Sequence, residues 1–203
     1  MKPLLKQWIP RWLFSLYHLS LAYVAAVWLR HPSEKMIVIG VTGTSGKSSV
    51  VYFLRQILEN AGMKVGALST VEFCVAGECR LNDQKMTMLG RMQTQRFLRQ
   101  MVESGCEIAI VETTSEGYLQ SRHRFINYDI MVLTNLYPEH LEAHGGFENY
   151  KAAKLGIFRY VAECQRKPAP HPSPLPRGEG DLAGRGGTIG ERGILKTAIV
   201  NGE

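Results

Sequence analysis

The stretch GVTGTSGKSSV, residues 40–50, has the residue types of a loop that binds phosphate groups. In such loops, glycines let backbone N–H groups face the phosphates, a lysine neutralises the β and γ oxygens, and a Ser or Thr hydroxyl binds Mg²⁺. Lys47 and Ser48 provide the lysine and the hydroxyl here. The strict spacing of the common phosphate-loop motif asks for glycine at position 41, where this chain has Val41. The stretch therefore has the required chemistry but departs from the usual spacing.

The residues on either side of the loop predict the strand and the helix that it needs. MIVIGV, residues 36–41, is an apolar run typical of a buried parallel strand. Residues 48–62 predict a helix with an apolar inner side formed by Val50, Val51, Leu54, Ile57, Leu58 and Ala61. A glycine turn before an ordinary helix is the alternative, and GKSS directly after a buried strand makes it the weaker one.

Predicted strands and helices alternate along the rest of the central region. Strands are expected at 65–70, 108–111 and 130–133, a hairpin at 71–81 and a helix at 91–104. This order predicts an α/β fold with a doubly wound, mostly parallel sheet. Such sheets bind ligands at the carboxyl ends of their strands, where Gly43 to Ser48, Glu112 and Asn135 all fall.

Polar residues after two of these strands indicate a metal site. Glu112 directly follows an apolar strand, and Asn135 to His140 follow another. A carboxylate beside a triphosphate suits Mg²⁺, which prefers oxygen ligands. Taken singly, Glu112 is equally well explained as a solvated acid, and His140 is better explained as a loop histidine without a role.

Charge and cysteine content narrow the function classes. The net charge of +6 comes from the two ends, because residues 37–165 contain thirteen basic and thirteen acidic residues. A nucleic-acid-binding protein would carry the excess on its folded domain, so no nucleic-acid partner is expected. The four cysteines are Cys74, Cys79, Cys106 and Cys164. They match no zinc spacing and are expected as reduced thiols of a cytoplasmic protein. A contact across the predicted hairpin is left open for Cys74 and Cys79.

Residues 1–35 predict a hydrophobic N-terminal helix. Residues 12–29 contain no Asp, Glu, Lys or Arg, and basic residues flank them on both sides. One narrow stripe of this helix is polar or small: Gln7, Arg11, Ser15, His18, Ala22 and Ala26. Three placements of residues 8–29 are therefore open. The helix could lie in the membrane surface, span the bilayer or pack on the domain. The first would place the protein at the inner face of the membrane.

The end of the chain has a different composition. Residues 166–193 contain five Pro and seven Gly in 28 positions and few large apolar side chains. Such a segment buries too little apolar surface to order itself, so it is predicted to be a disordered insertion. Residues 194–203 then resume a strand-like pattern. The main domain is accordingly expected at residues 36–165.

Four segments together resemble the Mur ligase family, ATP-dependent enzymes that build the stem peptide of peptidoglycan. They are VTGTSGKSS at 41–49, ETTSEG at 112–117, TNLYPEH at 134–140 and HGGFENYKAAKLGIF at 144–158. The likeness is greatest to the muramyl-tripeptide synthetase branch and covers the family's central ATPase domain. The family loop reads T-G-T-x-G-K-S/T, with its first glycine at Gly43, which accounts for Val41.

The resemblance implies the following site residues. ATP contacts fall on Gly43, Thr44, Ser45, Gly46, Lys47, Ser48, Ser49 and Asn135, and Mg²⁺ ligands on Ser48, Glu112, His140 and Lys154. Lys154 matches a lysine that the family carbamylates with carbon dioxide, which supplies two hard oxygens in place of a cation. Lys47, His140 and Lys154 are the implied catalytic residues, and Thr87, Gln93 and Ser115 are the implied substrate contacts.

By the same resemblance, a carboxylate of a UDP-MurNAc-peptide attacks the γ-phosphate of ATP. An amino acid amine then displaces phosphate from the acyl phosphate and forms an amide. A GTPase or small kinase is disfavoured because no guanine-reading NKxD motif is found. Folate-polyglutamating ligases share the scaffold, but their HGGFENYKAAK-type block is less similar.

The sequence also departs from the family pattern. Glu139 stands where the family has Asp, and Leu89 where it has Pro. The hydrophobic leader replaces the family's uridine-nucleotide domain, and its C-terminal domain is not present in these residues. Two interpretations follow: a ligase whose C-terminal domain is supplied by a partner, or an inactive, membrane-attached ATP-binding fragment of a truncated gene.

Overall fold

Strands and helices alternate along the chain, as the apolar pattern predicts. The computed structural model describes residues 11–84, 86–139, 145–167 and 196–200. The helices are α1 (Arg11–Trp28), α2 (Lys47–Asn60), α3 (Arg91–Glu103), α4 (Ser115–Leu119) and α5 (Phe147–Glu163), with a short 3₁₀ helix at Pro32–Lys35. The strands are β1 (Ile37–Thr42), β2 (Val65–Leu68), β3 (Glu72–Val75), β4 (Glu78–Leu81), β5 (Ile108–Glu112), β6 (Ile130–Leu133) and β7 (Thr197–Val200).

One sheet contains all seven described strands, in the order β4-β3-β2-β5-β1-β6-β7. The pairs β2·β5, β5·β1, β1·β6 and β6·β7 are parallel, and β3 and β4 add an antiparallel hairpin at one edge. The predicted α/β fold with a mostly parallel sheet is confirmed. The strand expected within residues 194–203 is present as β7, next to β6.

Helices cover both faces of the sheet, which gives two apolar cores. On one face, Val51 of α2 packs against Val41 and Ile110 of the central strands. On the other face, Leu98 of α3 and Ile157 of α5 pack with Val38. The two sets of strand residues alternate because successive side chains of a strand point to opposite faces. Central strands buried on both faces explain the uninterrupted apolar runs in the sequence.

The inner side of α2 differs from the prediction at two positions. Ile57 is 64% exposed and Ala61 is also exposed, whereas Arg55 is buried. The stripe that faces the sheet runs through Val51, Leu54, Arg55 and Leu58, with the three- and four-residue spacing of one helix side, and Ile57 lies off it. The two terminal nitrogens of Arg55 pair there with Glu59 at 2.7 Å and Glu72 at 2.9 Å.

The prediction of four reduced cysteines is wrong for one pair. Cys74 of β3 lies directly opposite Cys79 of β4, with Cα atoms 4.1 Å apart, and the two form a disulfide. The hairpin register is the physical reason, since opposed residues of antiparallel strands bring their side chains together. Cys106 and Cys164 are free thiols.

Helix α1 packs on the domain through its small residues. Ala22, Ala25 and Ala26 are buried, and α3 is the element that α1 contacts. Ala22 and Ala26 belong to the stripe of small and polar residues expected from the sequence. Within the described residues, no helix combines the length and the apolar character needed to cross a bilayer. Residues 1–10, which include the start of the predicted helical segment, lie outside the described residues.

A buried carboxylate ties both sides of the Pro/Gly-rich segment to the sheet. Asp129 is fully buried and forms ion pairs with Lys167 and with Lys196, the latter at 2.9 Å. It also accepts the backbone N–H of Val38 at 2.8 Å. Lys167, which falls in the predicted disordered insertion, is thus part of the folded domain, and burial lowers its pKa to about 8 despite Asp129. Residues 168–195 lie outside the described residues.

Replacement of Asp129 by Asn tests this cluster. The substitution leaves two lysines next to a neutral amide in a buried site, and removal of one partner of a buried ion pair costs about 3 kcal/mol or more. Urea unfolding of Asp129→Asn is expected to show that loss in the free energy of unfolding. The matched control is Glu103→Gln, which removes the exposed Arg99–Glu103 pair and is expected to cost less than about 1 kcal/mol. Equal effects of the two substitutions would contradict a stabilising role for the cluster.

Candidate functional site

The loop between β1 and α2 is held in place by the segment that follows β6. The Asn135 side-chain oxygen accepts the N–H groups of Thr44 at 3.1 Å and Ser45 at 3.0 Å. The Asn135 carbonyl also accepts from Thr44, and Thr134 donates its hydroxyl to the Ser45 carbonyl at 2.6 Å. Asn135, expected as a nucleotide-site residue, therefore contacts the loop between β1 and α2 directly and fixes its shape.

A second tie runs from α5 to the same loop. The Tyr150 hydroxyl donates to the Thr44 hydroxyl at 2.9 Å, and Thr44 in turn donates to the carbonyl of Tyr137 at 3.3 Å. The N–H of Tyr137 donates back to the Thr44 hydroxyl. The buried Thr44 thus connects the loop, the segment after β6 and α5 through its hydrogen bonds. Loop, strand end and helix form one rigid unit.

Glu112 and Ser48 form the part of the site that suits a cation. Glu112 ends β5 and is buried, and its side-chain oxygen accepts the Ser48 hydroxyl at 3.0 Å. The same oxygen accepts the N–H of Thr70 at 2.8 Å and its hydroxyl at 3.1 Å. No ion pair in the described part of the chain involves Glu112. A buried carboxylate surrounded by neutral donors, next to a hydroxyl, offers the oxygen ligands that Mg²⁺ prefers.

Two lysines converge on one carbonyl oxygen of the loop. Lys47 donates to the Gly43 carbonyl at 3.1 Å, and Lys154 from α5 donates to the same carbonyl at 2.7 Å. Lys154 is buried, and its amine lies 4.7 Å from the centre of the Tyr150 ring. Burial, followed by repulsion from Lys47, lowers the pKa of Lys154 to about 7. Lys47 and the protonated fraction of Lys154 favour an anion at this point.

The remaining predicted residues lie at varying distances from this centre. Ser49 lies in the first turn of α2, and Ser115 is buried at the start of α4. Thr87 is half-buried in the segment before α3, whereas Gln93 is exposed and bonds Gln84 at 3.3 Å. No described contact joins Thr87 or Gln93 to the phosphate loop. His140 lies outside the described residues, so its predicted metal role is unaffected.

Two arginines that sequence reasoning did not select lie beside the predicted substrate segment. Arg122 donates to the carbonyl of Met88, and Arg91 donates to the carbonyl of Gln120. Burial lowers the pKa of both guanidinium groups, and for Arg91 the nearby Arg122 lowers it further. No ion pair among the described residues involves either arginine. The pair therefore provides positive charge for an anionic ligand.

Other residues at the centre were also missed, and the sequence contains a signal for some of them. Thr70 is a polar residue just after β2, at the same sheet edge as Glu112, which is the pattern that identified Glu112 itself. Tyr150 lies one helical turn before Lys154 on the buried side of α5. Tyr137 lies in the predicted segment after β6, whereas Arg91 and Arg122 have no comparable signal, because only the tertiary structure brings them beside Gln120 and Met88.

The sequence of this chain matches the model of a known protein family. The model for the Mur ligase middle domain matches residues 41–169, which is more than half of the chain. The chain belongs to the Mur ligase family. It is 39% identical over 142 residues to the UDP-N-acetylmuramyl-tripeptide synthetase of Treponema pallidum, an alignment that covers 69% of this chain and 26% of that protein. The resemblance found in the sequence motifs is thereby confirmed.

Solved structures of Mur ligase family proteins and their relatives share the fold. A UDP-N-acetylmuramoyl-L-alanyl-D-glutamate–2,6-diaminopimelate ligase matches with a TM-score of 0.54 and 27% identity, over 62% of this chain and 25% of that one. The E. coli FolC structure with ADP matches with a TM-score of 0.53 and 22% identity, over 68% of this chain and 39% of that one, and it shows the fold alone. The chain spans about a quarter of the length of the Treponema synthetase.

Substitution of the first loop glycine tests how tightly the Mur ligase loop is built. Gly43 has φ +152°, and an added Cβ would lie 1.8 Å from the Thr134 hydroxyl oxygen and 3.2 Å from the Asn135 nitrogen. Gly43→Ala is therefore expected to lower the free energy of unfolding by about 2 to 4 kcal/mol in urea titrations. Gly46→Ala is the control, since Gly46 also has positive φ but no atom within 4 Å of an added Cβ, and it should cost about 1 kcal/mol. A cost for Gly43→Ala no larger than the control's would contradict the close packing described here.

Proposed function

We propose that this chain is the ATP-binding part of a peptidoglycan-precursor ligase, which joins an amino acid to a UDP-MurNAc-peptide in the cytoplasm. The observation that supports it most is the convergence of three features at one sheet edge. The phosphate loop with Lys47, the Ser48–Glu112 pair and the buried Lys154 all surround the Gly43 carbonyl or the first turn of α2. A simple nucleotide-binding loop requires the first two features but has no use for a buried lysine.

The loop residues would bind the phosphates of ATP. The backbone N–H groups of Gly46 to Ser49 lie at the start of α2, where N–H groups lack helical partners and favour anions. The amine of Lys47, now bonded to the Gly43 and Thr44 carbonyls, would turn to the β and γ oxygens when phosphates are present. Asn135 and Thr44 would keep the loop in shape for that exchange. Their ties to β6 and α5 make the site preorganised, which lowers the cost of binding.

Ser48, Glu112, His140 and a modified Lys154 would hold Mg²⁺. When bound, Mg²⁺ supplies positive charge that stabilises the oxygens of the transferred phosphoryl group. Glu112 fits this role because its carboxylate is buried and is bonded only to neutral donors among the described residues. Thr70 would hold the carboxylate in orientation through its N–H and its hydroxyl. Ser48 would present its hydroxyl to the same ion.

Lys154 would serve as a carbamate. Its neutral amine attacks the carbon of carbon dioxide, so that an N–C bond forms as one C=O π bond opens, and a proton passes from the nitrogen to solvent, which gives an anion with two oxygens. The surroundings favour this change because the ammonium form is buried beside Lys47 and has no carboxylate in ion-pair contact among the described residues. A negative group at this position would also form an ion pair with Lys47.

Arg91 and Arg122 would bind a carboxylate of the peptide substrate. They lie next to Met88 and Gln120, between the segment that holds Thr87 and the helix that starts at Ser115. A guanidinium matches a carboxylate with two parallel hydrogen bonds. The two arginines would position the peptide so that its reacting carboxylate approaches the γ-phosphate from the side of α4.

The incoming amino acid would be bound outside the described residues. In this proposal, a partner or a further part of the protein supplies the domain that presents the amine to the acyl phosphate. The alternative of an inactive ATP-binding fragment is disfavoured by Lys154, because a buried lysine beside the loop has no role in nucleotide binding alone.

The test is turnover by this chain together with the partner or further part that presents the amine. Purified protein with ATP, Mg²⁺, a UDP-MurNAc-dipeptide and a panel of amino acids is expected to release phosphate and to form an amide detectable by mass spectrometry. Lys47→Ala is expected to abolish ATP binding measured by calorimetry, whereas Lys64→Ala, an exposed lysine after α2, should bind ATP normally. ATP binding without any amide would favour the inactive fragment, and absence of ATP binding would overturn the proposal altogether.

Carbamylation gives a separate prediction. In buffer with ¹³C-labelled bicarbonate, the protein is expected to show one carbamate resonance by NMR, and Lys154→Arg should lack it because a guanidinium does not react with carbon dioxide. Phosphate release by Lys154→Arg should fall at least about a hundredfold, since a cation replaces a metal ligand. Lys151→Arg is the control, because Lys151 is exposed on the same helix and should keep both signal and activity. A carbamate resonance that persists in Lys154→Arg would contradict the assignment.

A further inference from the structure

The outward side of α1 is apolar apart from Ser20, over the residues whose side chains the structure describes. Leu16 is 54% exposed, Val24 is 50% exposed and Trp28 is 78% exposed. Among the described side chains of this helix, the exposed large apolar residues are Leu13, Leu16, Tyr17, Leu19, Leu21, Tyr23, Val24, Val27 and Trp28. Together they form one apolar patch. Monomeric soluble proteins rarely expose a patch of this kind without a binding function.

The domain cannot cover this patch, because α1 is already attached by its opposite side. Ala22, Ala25 and Ala26 are buried, and their small side chains allow a close approach to α3. Tyr23 makes an edge-on ring contact with Phe125 at 5.5 Å, which fixes one border of the helix. The residues that would normally form the inner side of an amphipathic helix therefore point away from the core.

The N-terminal segment and the elements next to it carry mostly positive charge. Residues 1–33 contain Lys2, Lys6, Arg11 and Arg30 and no Asp or Glu, and Glu34 follows them. Helix α3, on which α1 packs, adds the exposed Arg96, while its Arg99 pairs with Glu103. Arg124 lies next to Phe125, whose ring contacts Tyr23 of α1. A second copy of the chain would bring like charges together at this surface, which disfavours self-association.

We propose that α1 lies in the surface of an anionic lipid bilayer, with its apolar side in the acyl boundary and its alanine side on the domain. Tyr17, Tyr23 and Trp28 are the aromatic residue types that prefer the membrane interface, since their rings are apolar and their polar atoms reach water. The basic residues at the border would contact anionic headgroups. Binding in the plane of the surface agrees with the absence of a spanning helix among the described residues.

The direct test uses the intrinsic fluorescence of the unmodified chain. The chain has three tryptophans, Trp8, Trp12 and Trp28, and all of them belong to this N-terminal segment. Vesicles of phosphatidylcholine and phosphatidylglycerol in equal parts are expected to shift the emission maximum to shorter wavelength. The protein should also sediment with these vesicles, and less so in high salt. Vesicles of phosphatidylcholine alone should bind it at least about tenfold more weakly, because the basic border then has no anionic partner.

A matched pair of triple variants separates this surface from apolar exposure in general. Leu16→Gln, Val24→Gln and Trp28→Gln together are expected to weaken binding to anionic vesicles at least about tenfold. The control carries Phe53→Gln, Ile57→Gln and Leu81→Gln, at comparably exposed apolar residues of α2 and β4, and should bind as the unmodified chain does. All six positions are exposed, so thermal unfolding should stay cooperative in both variants.

Three results would overturn the proposal. The first is no sedimentation and no spectral shift of the unmodified chain with anionic vesicles. The second is equal binding of the α1 triple variant and the unmodified chain. The third is an oligomer in light scattering that the α1 variant alone converts to a monomer, without vesicle binding, which would assign the patch to a second copy. None of these readouts depends on nucleotide turnover, so failure here leaves the proposed ligase function untouched.

Discussion

The parallel register of β1 with its two neighbours is the constraint on which the site depends. Val41 pairs with Glu112 of β5, and Thr42 pairs with Leu133 of β6. Because of this register, the loop after β1, the carboxylate that ends β5 and the Thr134–Asn135 segment after β6 meet at one level of the sheet edge. A shift of β5 by one residue would turn Glu112 to the opposite face and separate it from Ser48. The apolar cores, one on each face of the sheet, hold this register. Packing far from the loop therefore determines which side chains meet at the loop.

Charge at this edge is unbalanced in two opposite ways. Two amines share the Gly43 carbonyl, while a few residues away the buried Glu112 has only neutral donors around it in the described part of the chain. Each imbalance costs free energy in the isolated domain, because a buried charge needs a partner of opposite sign. An anion at the lysines and a cation at the carboxylate would remove both costs together. The arrangement thus favours a ligand that brings both charges at once, as a nucleotide with its metal does.

Local pattern predicted the strands, the loop and the polar residues after the strands, since each depends on a few neighbouring positions. The hairpin disulfide and the inner side of α2 were predicted less well, because they depend on register and on helix rotation against the sheet. The burial of Lys154 was predictable in principle, since Tyr150, Ala153, Lys154 and Ile157 share one side of α5. Arg91 and Arg122 were not, because thirty residues of chain separate them and only the fold joins them.

Asp129 has a consequence for how this sequence can vary. The segment of residues 168–195 leaves the domain next to Lys167 and returns at Lys196, and both lysines bind the same carboxylate. The two ends of the segment therefore stay close, whatever its length. For a segment between fixed ends, each doubling of length adds only about 0.6 kcal/mol of closure entropy. Residues can be gained or lost there over generations while β7 keeps its place beside β6. This position therefore tolerates insertions and deletions.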